Sequence, residues 1–597
     1  MAYNMMSPEV RTIEVDYSDY VSSASSSIIG MVGCAKRGPL VPTLVTSQEQ
    51  FIKLFGTPSI KEYGAYSALQ ALTQASSLYY QRVIHKSPAA VAGTSGTDKY
   101  LFTMRESGSK YNGYKVVITT EESGKINISI EDTGGKSIET FNNLVDSASD
   151  PKSVMSVINN QSKLVSVAMT DSGTITTKEL TFSGGEDGAS YGTAGKSTLP
   201  FNIRTKYYDS TLNQCIVKFT DPDLAGYFDM EILSANRTTI LEKIQNLTLD
   251  PDDERYVDTL VTNTSDNVLV TYNKDYDKSQ TPQLSSVEYV ITGGNDGIDN
   301  VDTNDIIGTT NTGLQAFSNP EVIDINILCA PGWYQADVTN AGTKICENRG
   351  DSIYIFDTPF GLSAQRANDW VNGSGEFKAD HSAFDSSYSA AYWPWIQISD
   401  SYTHKDIWLP PTGFIAAVYA YNDNTAQLWY APAGLNRGMI TNAKAVEYSA
   451  TKGERDIIYG NRNCVNPIIN YKNLGIVVWG QKTTQRKSTA LDRVNVRRLL
   501  NYLKKIIASS TNYFLFDPND EYQWNRWIDM VDPILQNVKQ LRGVIDYKVE
   551  MAPTISELEN NMMPGTIRIK PTKDAEYIPI SFMISPQSAV FNEEVNR

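Results

Sequence analysis

Hydrophobic and polar side chains alternate through Ser7-Pro8-Glu9-Val10-Arg11-Thr12-Ile13-Glu14-Val15-Asp16, the period-two pattern of a half-buried strand. Opened by a proline, it predicts an extended arm. An apolar, glycine-containing run at 28–34, the turn Lys36-Arg37-Gly38-Pro39 and an Ala/Leu/Gln-rich helical stretch at 63–80 predict a strand, turn and helix of an α/β core. From 97 to 308 the pattern breaks into short β-branched runs separated by Ser, Thr, Asn, Asp and glycine turns, as in antiparallel sheet.

This middle region reads as internally duplicated. Lys163-Leu164-Val165-Ser166-Val167 precedes Thr181-Phe182-Ser183-Gly184-Gly185-Glu186-Asp187-Gly188, and Asn267-Val268-Leu269-Val270-Thr271-Tyr272 precedes Val290-Ile291-Thr292-Gly293-Gly294-Asn295-Asp296-Gly297. A helix is expected upstream in each copy, around 139–160 and 236–246. Two unrelated Gly-Gly turns are the simpler alternative.

After 308 the α/β texture returns, with buried strands expected at 323–332 and 352–357 and a helix at 363–371. The expected fold class is therefore a multidomain α+β / α/β chain. It has a discontinuous α/β core, a largely β inserted region of two related units, and extended N- and C-terminal arms. The corresponding segments are an arm at 1–22, core at 23–96, inserted units at 97–200 and 201–308, core at 309–574 and a second arm at 575–597. The second arm alternates through Ala575-Glu576-Tyr577-Ile578-Pro579-Ile580-Ser581-Phe582-Met583-Ile584, and its proline suits an edge or an added strand.

Composition narrows the function classes. The 597 residues are 41% hydrophobic and 20% charged, so the chain can bury several cores. A net charge of −16 opposes nucleic acid as a general partner. Its five cysteines stand far apart without a C-x-x-C pair and read as reduced, structural thiols. Neither a leader at the N-terminus nor an apolar run near the ~18 residues of a membrane span is expected.

Several ordered motifs carry a resemblance. They are Ser7-Pro8-Glu9-Val10, Arg37-Gly38-Pro39, the Leu54-Phe55-Gly56 ending and Tyr79-Tyr80-Gln81-Arg82-Val83 in the first part. In the second come Tyr392-Trp393-Pro394-Trp395, Leu409-Pro410-Pro411-Thr412-Gly413-Phe414, Tyr430-Ala431-Pro432-Ala433-Gly434, Val465-Asn466-Pro467-Ile468, Val478-Trp479-Gly480-Gln481-Lys482-Thr483 and Asp492-Arg493-Val494-Asn495-Val496-Arg497-Arg498. In this order they resemble the contractile bacteriophage tail sheath family. Lys482 and Gly434 stand where relatives often carry arginine and asparagine.

The resemblance implies a structural subunit that polymerises helically with copies of itself around a tail tube and contracts to drive the tube through a host envelope for genome delivery. Tail tube, baseplate and tail terminator proteins would be its partners. It would be assembled in the host cytoplasm and end in the virion tail, without nucleic acid, membrane insertion or cofactor. Arms exchanged as strands between neighbours would use Val10, Ile13 and Val15 at one end and Ile578, Ile580 and Phe582 at the other. The sheath of a bacteriocin-like or other contractile injection particle is the alternative within the class, and a β-rich surface adhesin the alternative outside it.

The stretch 491–510 predicts an amphipathic helix with Val496, Leu499, Leu500, Leu503, Ile506 and Ile507 on one side and Arg493, Arg497 and Lys504 on another. The basic row is the candidate tube-facing surface, although a solvated face with local ion pairs fits the same pattern. The helix expected at 520–541 competes for the inner position, and its Trp524 and Trp527 read as core side chains.

Enzyme chemistry finds no support. Gly195-Lys196-Ser197 ends like a P-loop, but Ser190 stands where its first glycine belongs and Pro200 where a helix should begin. The histidines, His85, His381 and His404, form no metal-spaced pair or nucleophile constellation, and the acidic stretch 250–258 lacks the central glycine of a calcium loop. No catalytic, cofactor or metal site is expected.

Overall fold

The computed structural model describes residues 27–580, apart from 60–61, 86–90, 93–97, 105–110, 122–123, 147–149, 151, 170–174, 184–188, 195–199, 221–225, 274–287 and 461–462. Its centre is an eight-stranded sheet in the order Thr43–Val45, Ser77–Arg82, Ile28–Gly33, Ile327–Cys329, Ile353–Asp357, Ser389–Trp393, Val465–Tyr471 and Gly475–Val478. The six inner strands run parallel and each edge strand pairs antiparallel with its neighbour. Parallel strands need cover on both faces, which explains the nearly continuous apolar runs here. Ile353 and Ile355 enter one core with Ile29, Met31 and Tyr392, while Tyr354 and Phe356 enter the other with Val32, Leu328 and Trp393.

Helices Tyr63–Ala71 and Thr412–Thr425 cover the first face, and Ala336–Arg349, Ala364–Asn372 and Lys452–Tyr459 the second. The first two cross closely because Gly413 has no side chain: a Cβ there would come within 2.6 Å of the Ser67 Cα. The helical stretch expected at 63–80 is shorter than its composition suggested. It ends at Ala71, and Ser77–Arg82 is a buried strand, because Leu78 and Tyr80 gain more from the sheet's inner face than from another helical turn.

Between the adjacent inner strands Ile28–Gly33 and Ile327–Cys329 the chain builds two further cores. In the first, the four strands Lys178–Thr181, Lys115–Thr120, Ile126–Glu131 and Ser137–Leu144 form one sheet, and Val91–Ala92, Tyr100–Met104 and Val165–Met169 another. In the second, Ile240–Leu247, Phe228–Leu233, Ile216–Thr220 and Glu288–Val290 form a sheet, as do Tyr191–Ala194, Phe201–Tyr208 and Val268–Tyr272. Among the described residues each has one helix, Val154–Gln161 or Val257–Thr264.

Local devices recur between them. The Glu139 carboxylate accepts from the Ser162 hydroxyl and the Lys163 N–H, and the Ser162 oxygen in turn accepts from the Val165 N–H. Glu242, Ser265, Asp266 and Val268 repeat the arrangement. Asn143 and Asn246 take the same left-handed backbone, with φ of 58° and 57°.

The helices expected around 139–160 and 236–246 need correction. Residues 137–144 and 240–247 are solvent-edge strands, and the helices begin later, at Val154 and Val257. Glu242, Lys243 and Gln245 favour helix intrinsically, but Ile244 and Leu247 face the core in antiparallel pairing with Phe228–Leu233, and that tertiary gain wins.

Candidate functional site

The C-terminal unit is built on helices Val494–Thr511 and Glu521–Gln540 and on the hairpin Val544–Met551 with Gly565–Pro571. Trp527, Val531, Ile534, Leu535 and Val538 share its core with Leu499, Leu503 and Ile506, and Tyr547, Val549, Ile567 and Ile569 pack onto them. Trp527, from the helix that competes for the inner position, is thus a core side chain. A bulge between Val544 and Asp546 restores the inward phase, so that Val544 is buried while Lys548, Arg568 and Lys570 face out. Among the described residues the sheet holds only these two strands, and neither outer edge has a partner. Open edges of this kind accept added strands through main-chain hydrogen bonds.

After the hairpin the chain runs 572–580 without pairing as a strand. Glu576 receives Arg493 in a two-point contact, Nε to Oε1 at 2.8 Å and Nη2 to Oε2 at 2.9 Å, and Tyr459 OH donates to Oε1 at 3.1 Å. Asp574 accepts from Asn495 at 2.7 Å and from Gln481 at 3.1 Å. Burial pushes the Asp574 carboxyl above its usual range, and it pulls Arg493 downward, but the Glu576 contacts more than offset this and leave Arg493 raised. Beyond the clamp, Tyr577, Ile578 and Ile580 are 75%, 74% and 73% exposed. Of the other expected strand-exchange residues, Val10, Ile13, Val15 and Phe582 lie outside the described residues.

The basic row is brought together along the helix, but its members are occupied inside the subunit. Arg497 is 4% exposed, stacks over the Tyr388 ring at 4.0 Å and donates to Ser387. Burial lowers its pKa from the ordinary guanidinium value. Lys504 Nζ lies 3.0 Å from the Tyr388 hydroxyl and is the most exposed of the three. The neighbouring Arg498 is fully buried against Asp423, which also accepts from the Ser27 hydroxyl at 3.0 Å. Reading the sequence missed Asp423, Arg498 and Glu576 as partners. The quoted Asp492–Arg498 motif contains the arginine, but nothing local pairs residues 75 or 83 positions apart.

Among the described residues no cluster of three His, Cys, Asp or Glu side chains is placed to hold a metal, and no helix is long and apolar enough to cross a membrane.

Residues 298–484 match the phage tail sheath protein central domain and 486–584 the phage tail sheath C-terminal domain. The chain is 29% identical to the tail sheath protein of Vibrio phage KVP40 over 47% of its own length and 45% of that protein. To the tail sheath protein of Enterobacteria phage T4 it is 28% identical, over 46% and 44%. The chain thus spans less than half the length of these relatives. Similar solved structures include the contracted sheath complex of an extracellular contractile injection system, PVC, at 24% identity, 46% of this chain, 75% of that one and TM-score 0.39. Another is a sheath tail protein from Desulfitobacterium hafniense, at 11% identity, 94% of this chain, 100% of that one and TM-score 0.42. Residues 298–584 thus match the central and C-terminal domains of phage tail sheath proteins, and the chain is similar over this part to the tail sheath proteins of contractile phages.

Proposed function

We propose that this chain is the structural subunit of a contractile tail sheath, polymerising helically around a tail tube and shortening to drive the tube through a host envelope. The observation that carries this reading is the two-stranded hairpin with open edges beside an arm that presents Ile578 and Ile580 outward. A strand from each of two neighbours completes such a hairpin into a four-stranded sheet. The pairing persists while the segments between body and strand hinge, as a lattice that changes length requires. Val10, Ile13 and Val15 supply one such strand and Ile578, Ile580 and Phe582 the other. Head-to-tail contacts of this kind do not close, so one chain extends into a filament. The energy of contraction is stored at assembly, and no nucleotide or cofactor enters.

In this reading the sheet-centred body, 23–96 with 309–574, carries the inserted units 97–200 and 201–308 as a separate feature. The tail tube, baseplate and terminator proteins are the partners, and the virion tail is the place of action. Lys504, with the basic helix behind it, faces the tube.

Negative-stain electron microscopy of the purified full-length protein at high concentration tests the reading. Hollow striated tubes are expected. Discrete monomers that persist with tube and baseplate proteins present would overturn it in favour of a surface-binding module.

A further inference from the structure

Both ends of the described chain are fastened to one helix. Glu576 is held by Arg493, the residue that starts Val494–Thr511, and Ser27 is held through Asp423 by Arg498. These arginines stand five residues apart, about 7.5 Å of helical rise. Main-chain contacts stiffen the first root, with Val494 N–H donating to Gln481 O at 2.8 Å and Thr572 N–H to Gly543 O at 3.1 Å. Asp574 is tied to Asn495 on the first turn of the same helix. The second root is equally enclosed, since Ser27, Arg498 and Asp423 are buried, and Ile28 N–H donates to Asn326 at the start of the central sheet. The tied chain ends at Glu576, and beyond it Tyr577, Ile578 and Ile580 are exposed.

We propose that Arg493 and Arg498 are positioning residues that root the two arms on a single rigid element, so that a pull arriving through one arm passes to the other along Val494–Thr511 and bypasses the inserted units. This rests on the strand-exchange reading and deepens it, because it assigns where the exchanged strands are anchored. The clamp fixes where the C-terminal arm leaves the body, and so which neighbour's hairpin it reaches.

The test uses the full-length chain with Arg493→Glu, Glu576→Arg, the double exchange, Glu576→Gln and Ser27→Ala. Hydrogen exchange over 572–580 and the critical concentration for polymerisation are followed together, with circular dichroism confirming the fold. Charge-assisted two-point contacts are strong enough that Arg493→Glu should speed exchange over 572–576 and raise the critical concentration by about tenfold. The double exchange should restore both, which a merely structural loss would not. Glu576→Gln, altered only on the arm side, should show a weaker form of the same defect, and Ser27→Ala a severalfold rise in critical concentration. Wild-type assembly by Arg493→Glu and Ser27→Ala would overturn the anchoring proposal, as would an Arg493→Glu defect that the double exchange leaves in place. A chain lacking 577–597 separates the two ideas. If it polymerises normally, strand exchange itself fails; if it does not polymerise while the clamp variants do, only the anchoring fails.

Discussion

Arg82, at the end of a central strand, donates from Nη2 to the main-chain oxygen of Tyr208 in the second inserted core at 2.7 Å. The same guanidinium holds the carbonyls of Ala35 at 2.8 Å, Lys36 at 3.1 Å and Gly38 at 3.0 Å, so one buried cation satisfies a whole turn and joins it to the inserted unit. Burial lowers its pKa to about 10. Arg82→Met leaves four carbonyls without this donor, and a loss of about 2–4 kcal/mol is expected. Differential scanning fluorimetry reads the loss, and limited proteolysis should cut first between the sheet and the second unit. An unchanged melting temperature would show that the join is held elsewhere.

Under the strand-exchange reading, deleting residues 1–17 removes one exchanged strand and should leave a folded monomer that no longer polymerises. Sedimentation velocity and electron microscopy check this together. Normal tubular polymers from the deleted chain would end the strand-exchange mechanism.

Arg497 and Lys504 should separate cleanly. Arg497→Ala removes a buried stack on Tyr388 and should cost about 1–3 kcal/mol of stability, visible in urea unfolding without any tube present. Lys504→Glu, on the exposed side, should leave unfolding within about 0.5 kcal/mol of wild type. It should weaken co-sedimentation with tube protein, most clearly at low salt. Unaltered co-sedimentation would remove this helix as the tube-facing surface.

Glu62 is buried, and burial, partly offset by hydrogen bonds from Ser59, raises its carboxyl pKa to about 7. A carboxyl raised in the folded state holds a proton there that the unfolded chain has released. This group's contribution therefore falls as pH rises from about 4.5 to 7, and is constant above that. Glu62→Gln should flatten that part of the stability curve and stabilise the protein at pH 8 by up to about 3 kcal/mol, seen as a higher melting temperature. Melting temperatures measured at half-unit steps check the slope, and a variant curve parallel to wild type would contradict the assignment.

The central strands were legible because doubly covered parallel strands are apolar without interruption, as in Ile353–Asp357. The amphipathic helix Val494–Thr511 was legible for the complementary reason, a single apolar stripe. The edge strand Ile240–Leu247 was misread as helix because it is half solvated and written in helix-favouring residues, and only its partner strand decides its state. The basic row was visible as a row, but its occupation was not. Whether Arg497 meets solvent depends on Tyr388, which reaches it from another element. The Arg493–Glu576 clamp escaped for the same reason, since charge pairing between distant positions leaves no local period to read.

The placement of the inserted cores between two adjacent central strands also sets a timetable for synthesis. Ile28 and Asn326, hydrogen-bonded at the foot of the sheet, are 298 positions apart, so the first strand leaves the ribosome roughly 15–60 s before its neighbour exists. The inserted cores, complete in sequence by then, can form while the first strand waits. The nascent chain thus carries an unfinished sheet through most of translation, and the C-terminal clamp, which follows the last strand of that sheet, becomes available only after the sheet it braces has closed.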